Sequence, residues 1–278
     1  MKGLIIAAGY GTRFLPVTKT VPKEMLPLVT KPSISFIVEE FLQAGIREIV
    51  VVSSRRKRAI EDFFDREVEL EELFTREGAE AKLRAVKPYN AHFSFVRQRK
   101  MMGTGDALLQ AAPLIGEEPF VVAYPDDIHF GSPPLAQQLV DVYKRSGASV
   151  MASLYDPPDL GRYGVLELDS DGEHVVDIVE KPAPGNEPSR EASIGRYLFT
   201  PDIFPFLREG WEAHTGEGEY YHTYALKALM GEGKVVYHRI EGKRLDTGTP
   251  EGYLEAILTY ASSQASLKSV IDRFTPER

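Results

Sequence analysis

Short, unbroken apolar runs alternate with amphipathic helical patterns through the first half of this chain. No other feature of the sequence restricts its fold as much. Residues 4–8, 48–53, 93–96, 120–124 and 148–154 read as strands. Helical patterns fall between them at about 32–44, with Pro32 early and Gly45 just past the end, and at 57–64, 106–112 and 135–145. Strand, helix, strand in regular order predicts right-handed crossovers and a largely parallel sheet. Runs without polar alternation suit a sheet covered on both faces.

The second half changes character. Segments 165–168 and 175–179 flank Asp169-Ser170-Asp171-Gly172, a hairpin signal. A loop at 182–188, a strand at 193–199, a short helix at 201–207, a helix at 220–230 and a strand at 235–240 follow. Pro250 opens a C-terminal helical stretch. Residues 62–80 are acidic with a helical pattern and read as a solvated surface helix. The expected fold is α/β: a Rossmann-like three-layer αβα arrangement with a mainly parallel mixed sheet and a small antiparallel β insertion. No linker, repeat or low-complexity tract divides the chain, so a single domain over 1–278 is expected.

Composition removes several function classes. The 278 residues contain no Cys, which excludes disulfides, thiolate metal sites and thiol nucleophiles. A net charge of −8 argues against general nucleic-acid binding. No apolar run approaches the roughly 18 residues of a membrane span. The opening apolar run is too short for a signal-peptide core, so a cytoplasmic location is expected.

The most informative stretch is Ala7-Ala8-Gly9-Tyr10-Gly11-Thr12-Arg13 and the loop that continues to Pro27. Gly9 and Gly11 follow a strand, where bare backbone can approach a phosphate. Phe14 stands where a dinucleotide fingerprint has its third Gly, and no Gly-Lys-Ser/Thr follows as in a P-loop. Arg13, Lys19 and Lys23 lie in a loop stiffened by Pro16, Pro22 and Pro27. A guanidinium fork and a Lys point charge are suited to polyphosphate. The site of such a loop, beyond the carboxyl ends of the strands, is where α/β sheets bind ligands. Asp126 and Asp127 end another strand, and one or two carboxylates plus substrate phosphates make a Mg²⁺ site. Pro-Asp-Asp is also ordinary turn chemistry.

Taken together, Gly9-Tyr10-Gly11-Thr12-Arg13, Pro22-Lys23-Glu24-Met25-Leu26-Pro27 and Lys31-Pro32 resemble the sugar-nucleotide pyrophosphorylases, or sugar nucleotidylyltransferases. Within them the chain is similar to the bacterial UTP–glucose-1-phosphate uridylyltransferase branch, densely over the first 75 residues or so and as separated motifs to about residue 260. The resemblance implies a nucleotide-binding half at about 1–130, a sugar-binding half at about 131–262 and a C-terminal helix at about 263–278. It implies Arg13 and Lys23 as catalytic residues. It assigns the nucleotide to Ala8, Gly9, Gly11, Thr12, Gln98, Gly103 and Gly105, with Gln98 at the pyrimidine edge. The sugar phosphate falls to Gly164, Glu180, Lys181, Gly195 and Arg196, and Mg²⁺ to Asp126 and Asp246, with Asp127 in support. It further implies UTP and glucose 1-phosphate as small-molecule substrates, no nucleic-acid or membrane partner, and a homo-oligomer.

The implied reaction is UTP plus glucose 1-phosphate giving UDP-glucose plus pyrophosphate. A phosphate monoester is mostly dianionic at neutral pH, so no general base is required. Catalysis then reduces to positioning and charge stabilisation. Two positions depart from the branch pattern: Tyr221 stands for Gln and Tyr224 for Asp. Leu245-Asp246-Thr247-Gly248-Thr249 leans towards thymidylyltransferases, which leaves a dTTP-dependent or other sugar-1-phosphate nucleotidylyltransferase as the alternative. A dinucleotide-dependent oxidoreductase lacks its third Gly. A non-catalytic sugar-nucleotide-binding subunit should have lost one of Arg13, Lys23, Asp126, Lys181 or Asp246, and all are present.

Overall fold

The computed structural model describes residues 1–274. Strand β1 (Lys2–Ile6) runs into a loop of three 3-10 turns (Thr12–Phe14, Val17–Lys19, Lys23–Met25). Two two-residue strands, β2 (Pro27–Leu28) and β3 (Lys31–Pro32), close that loop before helix α1 (Ser33–Gln43). Strand β4 (Glu48–Ser53), helices α2 (Arg58–Phe64), α3 (Val68–Glu77) and α4 (Glu80–Val86), and strand β5 (His92–Arg97) follow. Next come α5 (Thr104–Ile115), β6 (Phe120–Ala123), β7 (Asp127–Phe130), α6 (Leu135–Ser146) and β8 (Ser149–Tyr155). The hairpin β9 (Gly164–Leu168) and β10 (Val175–Glu180) precedes β11 (Glu191–Phe199), α7 (Ile203–Ala213) and α8 (Thr223–Gly231). The described chain ends with β12 (Val235–Arg239), β13 (Lys243–Asp246), α9 (Pro250–Ser263) and α10 (Ala265–Phe274). The helix expected at about 263–278 thus corresponds to α10, and residues 275–278 lie outside the described residues.

Strands β5, β4, β1 and β6 form a parallel block in that order. Antiparallel β11 adds to β6, and β8 and β12 extend the sheet beyond it. Strand β11 changes register on β8 between Ser193 and Tyr197. Its first half pairs with β9, its second with β6, which is how the antiparallel hairpin joins the main sheet. Successive side chains of a strand face opposite ways, so each apolar run supplies two cores. Leu4, Val122 and Phe199 pack under α5, α7 and α8. Ile5, Val121 and Leu198 pack under α1, α2 and α6. These are the three layers expected.

Several boundaries move for local reasons. Pro32 caps α1 rather than opening it. The helix expected from residue 220 starts at Thr223, because the Tyr220 backbone bonds to Met102 and Gly105 instead. The acidic 62–80 stretch divides among α2, α3 and the start of α4, and every acid of α3 is at least partly exposed to solvent. The strand expected to end at Asp126-Asp127 ends at Ala123, and Asp127 instead opens β7. Strand β7 pairs antiparallel with β13 in a separate ladder that aligns Asp127 with Asp246. No helix among the described residues is long and apolar enough to cross a membrane.

Candidate active site

A cleft opens over the carboxyl ends of β1 and β6. Ala8, Gly9, Lys23, Glu24, Gln98, Met101, Gly103, Thr104, Tyr124, Asp126 and Glu219 line it. Six residues singled out in the sequence therefore meet in one place: Ala8, Gly9, Lys23, Gln98, Gly103 and Asp126. The 3-10 turns after β1 fold the basic loop back over the strand ends. The Thr18 hydroxyl donates to the Gly11 carbonyl at 2.8 Å, and Gly11 packs on the Lys23 side chain. Thr12 begins the first 3-10 turn and is exposed beside Arg13.

Lys23 Nζ donates to Asp126 Oδ2 at 2.6 Å. Burial opposes ionisation of Asp126, but the Lys23 ammonium, with Arg13 behind it, outweighs burial and holds the carboxyl below its usual range. The next residue, Glu24, points the other way into a buried pair with Lys57 at 2.6 Å. Burial raises the Glu24 carboxyl and lowers the Lys57 ammonium, each partly offset by the other. Nothing local pairs these two residues, which lie 33 positions apart.

The ladder of β7 and β13 brings Asp246 to Asp126. Thr247 donates its backbone N–H and its hydroxyl to the Asp126 carbonyl, at 2.7 and 3.1 Å. The Gly248 N–H donates to Asp246 Oδ1 at 2.9 Å, and Arg13 Nη1 donates to the Gly248 carbonyl at 3.4 Å. A methyl group on Gly248 would lie 2.9 Å from Asp246 Oδ1, 3.0 Å from Asp126 Oδ2 and 3.5 Å from Arg13 Nη1. Two carboxylates and a guanidinium thus converge on the bare face of one glycine. Among the described residues no group of three or more His, Cys, Asp or Glu is placed to hold a metal. The donor set fits a hard cation that takes one or two carboxylates and completes its shell with substrate oxygens.

On the other wall, Gln98 Nε2 donates to the Gly103 carbonyl at 2.9 Å and to Asp106 Oδ2 at 2.8 Å. Its amide hydrogens are therefore committed, and its carbonyl is the acceptor left for a ligand. Gly103 has φ +93° and lies against the Tyr220 carbonyl, where a Cβ would come within 2.5 Å. Gly105 donates to the same carbonyl. Glycine suits both positions, since the Tyr220 carbonyl covers Gly103 and the Tyr220 ring covers Gly105. Tyr221 and Tyr224, the two departures from the branch pattern, are exposed and do not line the cleft. Of the six histidines, none lines it. His222 shares a hydrogen bond with Thr104 behind the wall, and burial pushes its pKa down to about 4.

Gly164, Glu180 and Lys181 form a second group, on the β9–β10 hairpin. Gly164 and Glu180 are cross-strand partners, and the Glu180 carboxylate lies over the bare Gly164. Lys181 has φ +47°, a left-handed backbone rare for a residue with a side chain. Such strain concentrates at ligand-binding positions. Gly195, in the β11 bulge, faces the Tyr124 ring of the cleft. Arg196 does not belong with these residues as a contact group. It has no exposed surface, its Nη1 donates to Glu40 Oε1 and its Nη2 to the Asp127 carbonyl, each at 2.6 Å. Strand alternation sends it to the face opposite Tyr197, among Ile194 and Leu198. Asp127 is likewise buried, with Oδ1 on Arg244 Nε at 2.8 Å. Burial raises its pKa to about 6 despite Arg244 and Arg196.

Comparison with known proteins agrees with this geometry. The nucleotidyl transferase family model matches residues 2–263. The UTP–glucose-1-phosphate uridylyltransferase of Pseudomonas aeruginosa is 43% identical over 263 residues, 92% of this chain and 94% of that protein. A crystal structure of UDP-glucose pyrophosphorylase complexed with UDP-glucose superposes with a TM-score of 0.81 at 39% identity, covering 95% of this chain and 99% of the other. The UTP-bound UGPase of Acinetobacter baumannii reaches 0.88 at 29% identity over 99% and 98%. A strand-end cleft that pairs a Lys-bearing loop with two carboxylates, in a chain matched over nearly its whole length, makes this protein a member of the nucleotidyl transferase family.

Proposed function

We propose that the chain transfers the uridylyl group of UTP to glucose 1-phosphate, giving UDP-glucose and pyrophosphate. The observation that carries this reading is the convergence of Arg13, Asp126 and Asp246 on Gly248, with Lys23 paired to Asp126, in a family whose nearby members are named for this reaction. The nucleotide occupies the half at about 1–130 and the sugar phosphate the half at about 131–262. The uracil N3–H donates to the free Gln98 carbonyl, while Gly103 and Gly105 let the backbone approach base and ribose. Lys181 and Glu180 hold the sugar phosphate and its hydroxyls.

The nucleophile is a phosphate oxygen that is already ionised, so the protein need only bring two anions together. Lys23 and Arg13 offset the repulsion: Lys23 reaches into the cleft from the loop, and Arg13 stabilises charge that builds on the α-phosphate and the leaving pyrophosphate. Asp126 and Asp246 would hold Mg²⁺, which supplies neutralisation of phosphate oxygens when bound. The proposal includes a homo-oligomeric, cytoplasmic enzyme, on the family resemblance.

The test is a grid of nucleoside triphosphates against sugar 1-phosphates with Mg²⁺, scored by pyrophosphate. UTP with glucose 1-phosphate is expected among the best pairs. A clear preference for dTTP would move the chain to the thymidylyltransferase alternative, and no reaction with any pair would reject the proposal.

A further inference from the structure

A line of buried charges runs beneath the carboxylate pair, and the reaction does not call on it. Glu40 projects from the apolar face of α1, between Ile37 and Phe41. Its Oε1 accepts from Arg196 Nη1 and from the Ala136 N–H at the start of α6. Arg196 passes the contact to the Asp127 carbonyl, and the Asp127 side chain to Arg244. Arg244 Nη2 lies 4.0 Å from Asp246 Oδ2. The line thus begins in the helical layer, passes through Asp127, the neighbour of Asp126, and ends beside Asp246.

Burying four charges is costly, and an apolar replacement of the same volume is often no less stable. A chain that keeps them needs direction rather than adhesion. The β7–β13 ladder gives the reason. It has four residues a side, it pairs with no strand of the main sheet, and its buried core is Leu28, Ile128, Leu245 and Ala256. A two-stranded ribbon is marginal by itself. Apolar contacts hold it down without fixing where its end points. Arg196, rooted in β11, grips the carbonyl of Asp127, the residue next to Asp126.

We propose that Arg196, clamped by Glu40 and bonded to the Asp127 carbonyl, is a positioning residue that aims Asp126 and, through the ladder, Asp246 at the divalent cation. This rests on the reading of those two carboxylates as the cation site. Arg196 touches no substrate. It acts through the turn. Lysine cannot replace it, because one ammonium lacks the planar fork that serves Glu40 and the Asp127 carbonyl together.

The test measures UTP affinity by calorimetry, in EDTA and in Mg²⁺, for the wild type, for Glu40→Leu/Arg196→Met and for Arg196→Lys. The double variant removes both charges at once, so neither is stranded. UTP affinity in EDTA should stay within about twofold of wild type, and the strengthening by Mg²⁺ should fall about tenfold or more, the usual loss when a ligand's outer support is removed. Arg196→Lys should fall in the same direction by less. Variants that keep the full Mg²⁺ strengthening overturn the proposal. So do variants that lose UTP affinity equally in both media, since the line would then support the whole cleft. A wild type that binds UTP but gains nothing from Mg²⁺ sinks the cation-site reading itself, and a wild type that does not bind UTP sinks the proposed function.

Discussion

Replacing Lys57 by Met tests the energetic reading of the basic loop most directly. Lys57 and Glu24 are 2.6 Å apart with side chains 4% and 0% exposed, and Glu24 Oε1 has no hydrogen-bond partner of its own. Met keeps the length and apolar stem of Lys but strands the carboxylate. Breaking a buried pair by removing one partner costs about 3–5 kcal/mol. The sign with pH follows from burial. Glu24 already has a raised pKa with burial as the largest cause, and loss of the Lys57 ammonium raises it further. A carboxyl whose folded pKa lies above its unfolded value binds more protons folded, so stability falls as pH rises from the unfolded pKa through the folded one. The variant should therefore lose least near about pH 5 and most near about pH 8, where Glu24 would have to be buried as an anion. Urea unfolding followed by tryptophan fluorescence and circular dichroism at both pH values reads this. Adding Glu24→Leu should recover most of the loss, because no charge is then left unpaired. A single variant that loses less than about 1 kcal/mol, or a loss equal at both pH values, would refute the reasoning.

The remaining predictions concern the cleft. Gly248→Ala sets a methyl 2.9 and 3.0 Å from the two carboxylate oxygens, so it should weaken the Mg²⁺ dependence of turnover by tenfold or more while the melting temperature moves little; an unchanged Mg²⁺ titration would remove Gly248 from the site. Arg13→Ala should lower kcat far more than it raises KM for UTP, and a large KM rise at constant kcat would mean that Arg13 supplies uniform binding only. Asp246→Asn should raise the Mg²⁺ concentration needed for half-maximal rate; steady-state titration giving the wild-type value would exclude Asp246 as a ligand.

The parallel block was legible because its signals are local. Apolar runs such as Glu48–Ser53 and the Pro32-to-Gly45 frame of α1 need no knowledge of the rest of the chain. The glycines, Lys23 and the carboxylates were legible through a motif rather than through spacing. What escaped the sequence is pairwise and distant. β7 and β13 are four residues each, too short for periodicity, and their pairing spans over 110 positions. Arg196 escapes for a related reason: the resemblance assigns it to the sugar phosphate with Gly195, but strand alternation turns it into the core. A usable signal existed. Glu40 interrupts the apolar face of α1, and an acid there implies a buried cation somewhere else in the fold.

Two lysines of the same region show why the overall charge of −8 says little about phosphate binding. Lys57 and Lys23 each hold one carboxylate at 2.6 Å. The Lys57 and Glu24 side chains have almost no exposed surface, so a ligand in the cleft competes poorly for either. Lys23 and Asp126 are 21% and 26% exposed, on the cleft itself. In that setting an ion pair is worth little net energy, because water and incoming anions compete for both partners. The sealed pair anchors the 3-10 turn that carries both Lys23 and Glu24, and the open pair stands at its tip. Rigidity and exchangeability are thus assigned to adjacent residues of one turn. A triphosphate can draw on the Lys23 charge without disturbing the loop that presents it.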